Sequence, residues 1–370
     1  MIIGSIILAV SPKELFFTGI GFSIVGTGFF KPNISSMVGQ LYKDGDVRRD
    51  AGFSLFYAGI NLGALLGGYV CIAVANGTLW SGFVPENMRW NYAFGFAAVV
   101  MIISLLTFTQ TQKSLGEIGL SPLVTVEKSK RKIYEVLTYI GSLALIPIII
   151  LMVANTVYTD YFMMIIGPAS ILYLFYEMRN FSAVENKKLL AALVFIIFSI
   201  FFWAFYEQSG GSLSLFAANN LHNNLLGVEL DPNGVNNSSG ALFVIIFAGL
   251  LGVLWIWMAK KKIEPNTVVK FGLGFLFLAA GFWIFYYTKF FASPDGKTSL
   301  NLFTFGWFVI TFGELCLSPI GMSAMTKLSP QKLQAVIMGM WFLASAYGQY
   351  FAGLLGANIA EASENSSNLE

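Results

Sequence analysis

Leu189 to Ala218 reads LLAALVFIIFSIFFWAFYEQSGGSLSLFAA and holds a single ionisable residue, Glu207. A helix needs about 20 residues to cross a hydrocarbon core about 30 Å thick, so this stretch is long enough to do so. Working outward, eleven apolar segments lie at roughly 1–10, 14–41, 52–75, 90–109, 134–154, 157–177, 189–218, 240–259, 268–291, 300–326 and 333–358. Ten are long enough to span. The first, Met1 to Val10, reads as the last half of a helix. Backbone groups left unpaired in lipid cost several kcal/mol each, so helices are the expected form. A membrane barrel would show alternating segments of about ten residues, which this sequence lacks.

Composition agrees. Of 370 residues, 56% are hydrophobic and 11% charged, and mean hydropathy is +0.69. Soluble domains carry about 25% charged residues. The net charge of +2 gives no basic surface for a nucleic acid, so no such partner is expected. Cys71 and Cys316 lie inside apolar runs, and the single histidine, His222, lies in a loop. No disulfide frame, metal site, cofactor or catalytic constellation is expected from these, and no phosphate-binding Gly-Lys loop exists. The chain reads as a non-enzyme. Without a nucleotide site, active transport would draw on a gradient.

The loop charges give an orientation. If the segments alternate, with the loop after the second segment in the cytoplasm, 17 of the 22 Lys and Arg fall on the cytoplasmic side. Four fall opposite: Lys13, Arg89, Lys289 and Lys297. Lys31 stays inside the membrane. This is the asymmetry of the positive-inside rule. Gln110 to Lys132 is the longest polar linker and the best boundary between a front and a back block. Four parts follow: 1–110, 111–188, 189–360, and a polar tail at 361–370 that is expected to be disordered.

Lys31, Glu207 and Glu314 stand deep in apolar surroundings. A charge at the bilayer centre costs about 2.5–3.5 kcal/mol on insertion scales, so such residues face a cavity or a partner. A structural ion pair, or snorkelling of Lys31 to the interface, is the plainer reading. Trp203 and Glu207 are four apart and share a helix face, as do Tyr57 with Asn61 and Glu314 with Ser318. Pro32 follows Lys31 and Pro319 follows Ser318, and a proline in a membrane helix is expected to kink it. Trp203 and Trp341 could also be simple lipid contacts, and Asn61 a simple interhelical hydrogen bond.

These residues carry a resemblance. Gly26-Thr27-Gly28-Phe29-Phe30-Lys31-Pro32-Asn33-Ile34-Ser35, then Arg48-Arg49-Asp50, then Phe53 to Gly63 (FSLFYAGINLG), look like the signature of the proton-dependent oligopeptide transporters across their fourth and fifth helices. Phe202 to Gln208 (FWAFYEQ) is similar to their seventh helix, Gly313 to Pro319 (GELCLSP) to their tenth, and Met340 to Leu343 (MWFL) to their eleventh. The resemblance implies an all-α, polytopic membrane protein of the major facilitator fold, in the cytoplasmic membrane and in contact with its lipids.

By the same resemblance, segments 1 to 4 are family helices 3 to 6, and segments 7 to 11 are helices 7 to 11. Segments 5 and 6 look like the extra pair that bacterial members insert. The resemblance implies that family helices 1 and 2, most of 3, and helix 12 have no counterpart in these residues, and with helix 1 goes a Glu-x-x-Glu-Arg motif. These 370 residues expressed alone are therefore expected to insert but not to transport. Gly240-Ala241 stands where family members often carry Asn-Pro.

The implied function is symport of di- and tripeptides with protons. Another small organic solute, or an inert transporter fragment, is the alternative. The implied substrate residues are Lys31, Tyr57, Asn61, Trp203, Glu314, Ser318 and Trp341. Lys31 would meet the peptide carboxylate and Glu314 its ammonium. Tyr57 and Asn61 would bind its backbone, and Trp203 and Trp341 would wall in its side chains. Glu207 is the proton carrier, since a carboxyl in apolar surroundings can switch charge. Lys31 and Glu314 are expected to pair as a gate when the site is empty.

The orientation is testable in intact cells. A cysteine at Asn236 should react with an impermeant reagent from outside, and one at Lys261 should not; the reverse pattern would overturn the alternation.

Overall fold

The computed structural model describes residues 1–10, 13–43, 45–80 and 82–367. Twelve α-helices run through them: α1 (Ile2–Val10), α2 (Phe16–Gln40), α3 (Arg49–Ala75), α4 (Arg89–Thr111), α5 (Lys128–Ala154), α6 (Thr156–Glu177), α7 (Ala183–Tyr206), α8 (Ser212–Asn220), α9 (Pro232–Lys260), α10 (Thr267–Tyr287), α11 (Leu300–Leu328) and α12 (Gln334–Ser367). A two-residue hairpin, Asn224–Leu225 with Val228–Glu229, lies between α8 and α9. All eleven apolar segments are helical. Among the described residues, eight helical stretches are long and apolar enough to cross a membrane, including Ala183–Asn220 and Leu300–Leu328. Phe16–Gln40 and Gln334–Ser367 have the length but are interrupted by small and polar residues, and they are not among the eight.

Three boundaries differ from the sequence reading. First, α9 begins at Pro232 rather than near 240. Asp231 caps it by accepting from the Gly234 N–H at 2.6 Å, and Pro232 occupies its first turn, where a missing N–H costs nothing. Asn236 is thereby buried inside a helix. The accessible outer position for cysteine labelling is Leu226, in the hairpin turn and 86% exposed.

Second, the segment at 189–218 is broken. α7 ends at Tyr206, a 3-10 turn covers Glu207–Gly210, and α8 follows. Pro32 and Pro319 interrupt nothing; α2 and α11 run through them as continuous helices. Third, helix continues to Ser367 through most of the expected polar tail, whose last three residues lie outside the described ones.

The chain forms two units. The first takes in Met1–Leu41 and Leu66–Tyr176, and the second Tyr42–Leu65 and Glu177–Glu370. In the first, α1 packs on α2 through Gly4 and Gly19, and α2 meets α5 where Gly21 faces Ile146 and Ile150. Asn91 donates to the Ala9 carbonyl at 3.0 Å and ties α4 to the end of α1. On α5 only Ile146 is buried. Large apolar side chains such as Leu143, Leu151 and Ile140 point outward, as suits a surface covered by lipid.

The second unit is built around α11, whose residues from Gly313 to Thr326 are all buried. α10 crosses it closely. A Cβ at Gly313 would come within 2.6 Å of the Gly274 carbonyl oxygen, so only glycine permits that approach. α7 starts at a capping box, with the Ser182 hydroxyl and the Glu185 carboxylate each satisfying the other's backbone N–H.

The first half of α3 joins this unit through a buried charge cluster. Asp50 accepts from Lys270 Nζ at 2.9 Å, from Lys327 Nζ at 2.6 Å and from Ser323 Oγ at 2.6 Å. Lys270 also donates to Glu264 and lies 4.6 Å from the centre of the Trp255 ring. Lys270 is one of the 17 Lys and Arg counted on the cytoplasmic side; it is 1% exposed in the first turn of α10. Beside the cluster, Ala51 packs on Gly252 of α9, where a Cβ would come within 3.2 Å.

Removing one partner of such a buried pair strands the other. Asp50→Ala should therefore lower the stability of the purified protein by about 3 kcal/mol, read as a lower thermal midpoint in detergent. An unchanged midpoint would mean that the cluster carries no stability.

Candidate functional site

Glu314 lies in the middle of α11 and is 3% exposed. A carboxylate out of water must be hydrogen-bonded or paired. Two tyrosine hydroxyls meet this need. Tyr57 of α3 donates to Oε1, and Tyr206, the last residue of α7, donates to Oε2 at 2.5 Å. Among the described ion pairs, none involves Glu314. Its charge is held by neutral donors from two different stretches of chain, one on each side of the Gln110–Lys132 linker.

The surroundings fix Tyr206. Its ring stacks on Phe202 at 5.8 Å and meets Trp203 at 5.2 Å and Trp307 at 5.6 Å, edge to face. Such pairs prefer these geometries and add to simple burial. Trp307 is oriented in turn: its Nε1 donates to Asn236 Oδ1 at 3.1 Å, and Asn236 Nδ2 donates to the Ser209 carbonyl at 2.8 Å. Gly240 leaves room for the Tyr206 hydroxyl.

The break after Tyr206 places Glu207 at a helix end. Gln208, 3% exposed, stitches the break together. Its amide donates to the carbonyls of Ala204 and Ala352, and its Oε1 accepts from the Ser212 hydroxyl at 2.8 Å. Gly211 and Gly356 come into backbone contact beside it. Glu207 is half-buried and accepts from Gln349 Nε2 at 3.2 Å. It follows Tyr206, which donates to Glu314. Interrupted helices of this kind line the sites of many transporters.

The residues singled out in the sequence sort as follows. Tyr57, Glu314, Ser318, Glu207 and Trp203 gather in the second unit. The Ser318 hydroxyl lies beside Tyr57 without hydrogen-bond geometry to any described group, and the buried indole N–H of Trp203 is likewise unpartnered among them. Asn61 donates to the Tyr57 carbonyl at 3.0 Å, one turn back on its own helix. Trp341 is buried against Gly321 of α11 and meets Phe271 of α10. Lys31 stands exposed on α2, in the first unit.

Tyr206 and Asp50 lie in the quoted motifs and Asn236 in an expected loop, but none of the three has a role in the sequence reading. Tyr206 looks like one more aromatic in an apolar run, and Asn236 like one of several loop asparagines. Outside the helices, Asp46 shows a simple local effect. The hydrogen bond from the Arg48 side chain holds its carboxyl down at about 2, just before α3 begins.

The family described as the POT family matches residues 1–369. The peptide transporter YePEPT of Yersinia enterocolitica is 33% identical over 370 residues, covering 94% of this chain and 69% of the relative. Dipeptide and tripeptide permease B of Aeromonas hydrophila is 28% identical, with 97% and 70% covered. Among solved structures, a POT family transporter in complex with a thioalcohol-conjugated peptide is similar with a TM-score of 0.69 at 29% identity, over 97% of this chain and 74% of that one.

Proposed function

The chain belongs to the POT family, and from that premise we propose that the Glu314 cluster is the substrate and coupling site of a symporter that carries di- and tripeptides with protons across the cytoplasmic membrane. The protein is a multi-pass membrane protein of the major facilitator fold, and its relatives are transporters. In this reading residues 1–110 belong to the N-terminal half, 111–188 hold the linker and an inserted helix pair, 189–360 form the C-terminal half, and 361–370 are a tail.

One observation carries the reading: among the described residues a buried carboxylate, Glu314, is held by two tyrosine hydroxyls and by no cation, and a second carboxyl, Glu207, follows one of those tyrosines directly in the chain. A di- or tripeptide has an ammonium at one end and a carboxylate at the other. Glu314 takes the ammonium, exchanging a tyrosine hydroxyl for a charged donor, and charge-assisted hydrogen bonds are roughly twice as strong as neutral ones. Lys31 takes the peptide carboxylate. Tyr57, Asn61 and Ser318 bind the peptide backbone once Tyr57 leaves Oε1. Trp203 and Trp341 are the apolar walls; the unpartnered indole N–H of Trp203 supports a contact with substrate at that wall.

Glu207 carries the proton. Its place at the end of α7, where the helix gives way to a 3-10 turn, lets a change in its charge alter the break directly. Lys31 and Glu314 form the gate pair when the site is empty and Tyr57 has withdrawn. Alternating access then follows from which of these donors Glu314 holds.

The test is Glu207→Gln in the full-length protein. Glutamine keeps the shape and hydrogen bonding but cannot change charge. Uptake driven by a proton gradient should be lost, while counterflow of peptide survives. Undiminished proton-driven uptake would make Glu207 a structural residue.

A further inference from the structure

Glu314 has two oxygens and two tyrosine donors, but the donors are not equivalent. Tyr57 comes from α3 and is partly buried against the apolar cluster of α9 and α11 that includes Val244 and Ile320, with Asn61 donating to its carbonyl. Tyr206 is caged by Phe202, Trp203 and Trp307, and Trp307 is pinned through Asn236 to the carbonyl of Ser209. Every member of that cage lies on α7, the turn after it, α9 or α11. Gly240 completes it from α9. A Cβ there would come within 2.7 Å of the Tyr206 hydroxyl oxygen, closer than real Cβ contacts allow, while the next atom, Cζ, would be at 3.9 Å, an ordinary contact. Glycine at 240 is thus required by one atom, the Tyr206 oxygen.

We infer that Tyr206 is a positioning residue: it stays on Oε2 of Glu314 throughout binding, with Gly240 as the clearance it needs, so that Oε1 alone is exchanged between Tyr57 and the substrate ammonium. The inference rests on the proposed role of Glu314. It adds a division of labour within one carboxyl group. Oε2 is the fixed end that sets the rotamer, and Oε1 is the working end. A carboxylate held at one oxygen presents the other in a defined direction, and less ordering is left for the ligand to impose. The chemistry favoured at Oε1 is a primary ammonium.

The experiment is a double-mutant cycle on the full-length protein. It is read as the apparent KM and maximal rate for L-Ala-L-Ala uptake, with the melting temperature alongside. Tyr206→Phe removes only the hydroxyl. It should raise KM about tenfold, the scale of one hydrogen bond to a charged group, and leave the maximal rate within about twofold. Gly240→Ala, which displaces the hydroxyl without removing it, should raise KM to the same extent. The double variant should be no worse than Tyr206→Phe alone, because the clash partner is gone. In a Glu314→Gln background Tyr206→Phe should have no further effect on KM.

A lower KM in Tyr206→Phe would mean that Tyr206 competes with the ligand, and would overturn the inference. So would additive effects of Tyr206→Phe and Gly240→Ala, or a fall in melting temperature with KM unmoved. If Glu314→Gln itself left KM unchanged, the underlying reading of Glu314 would fall, and the inference with it. If Glu314→Gln raised KM while Tyr206→Phe and Gly240→Ala did not, only the present inference would fall.

Discussion

A carboxylate that has left water must be given donors, and Glu314 obtains both of its own from tyrosines on other helices. Much else in the second unit serves that arrangement. The glycine-lined crossing of α10 on α11 sets the depth at which Glu314 sits. The aromatic cage around Tyr206 fixes one hydroxyl, and Asn236 fixes the cage. On the other side, α3 delivers Tyr57. Seven residues before it, Asp50 anchors the same helix to α10 and α11 through Lys270 and Lys327. The segment Tyr42–Leu65 is therefore tied to the second unit at two levels about 10 Å apart along its axis.

The two ties differ in kind. The Asp50 cluster balances two lysines against Asp50 and Glu264, and the Trp255 ring lies over its Lys270. Among the described residues, the Glu314 cluster holds its carboxylate with neutral donors. Charge matched by charge is costly to separate in a low dielectric. A neutral hydroxyl on a carboxylate can be replaced by any better donor that arrives. The first tie has the chemistry of an anchor, and in the proposed function the second is the one that receives a cation.

The fold class was legible in the sequence because hydrophobic length is a one-dimensional property: eleven apolar segments became helices. Glu314, Tyr57 and Glu207 could also be found, since polar groups in apolar runs stand out. Hydropathy misled where burial and polarity part company. The charge count took Lys270 as one of the cytoplasmic lysines, because sequence alone does not show the Asp50 carboxylate that neutralises it. Hydropathy began α9 eight residues late, because Asn and Ser look like loop until Asn236 is seen bonding to Trp307 and Ser209. It ran α7 straight into α8, because the bond from Gln208 to the Ala352 carbonyl joins residues 144 apart and leaves no periodic trace. Tyr206 was quoted with its motif but given no role, because one hydroxyl among so many aromatics carries no pattern.

The central claim is that Glu314 receives the ammonium of a peptide. The most direct measurement compares the affinity of the full-length protein for L-Ala-L-Ala with that for its N-acetylated form, in the wild type and in Glu314→Gln. Acetylation removes the cation and leaves the rest of the ligand in place. The account predicts that acetylation weakens binding at least tenfold in the wild type, and that this penalty shrinks to within about twofold in Glu314→Gln. An acetylation penalty of the same size in both proteins would contradict it, and the ammonium would have to be bound elsewhere.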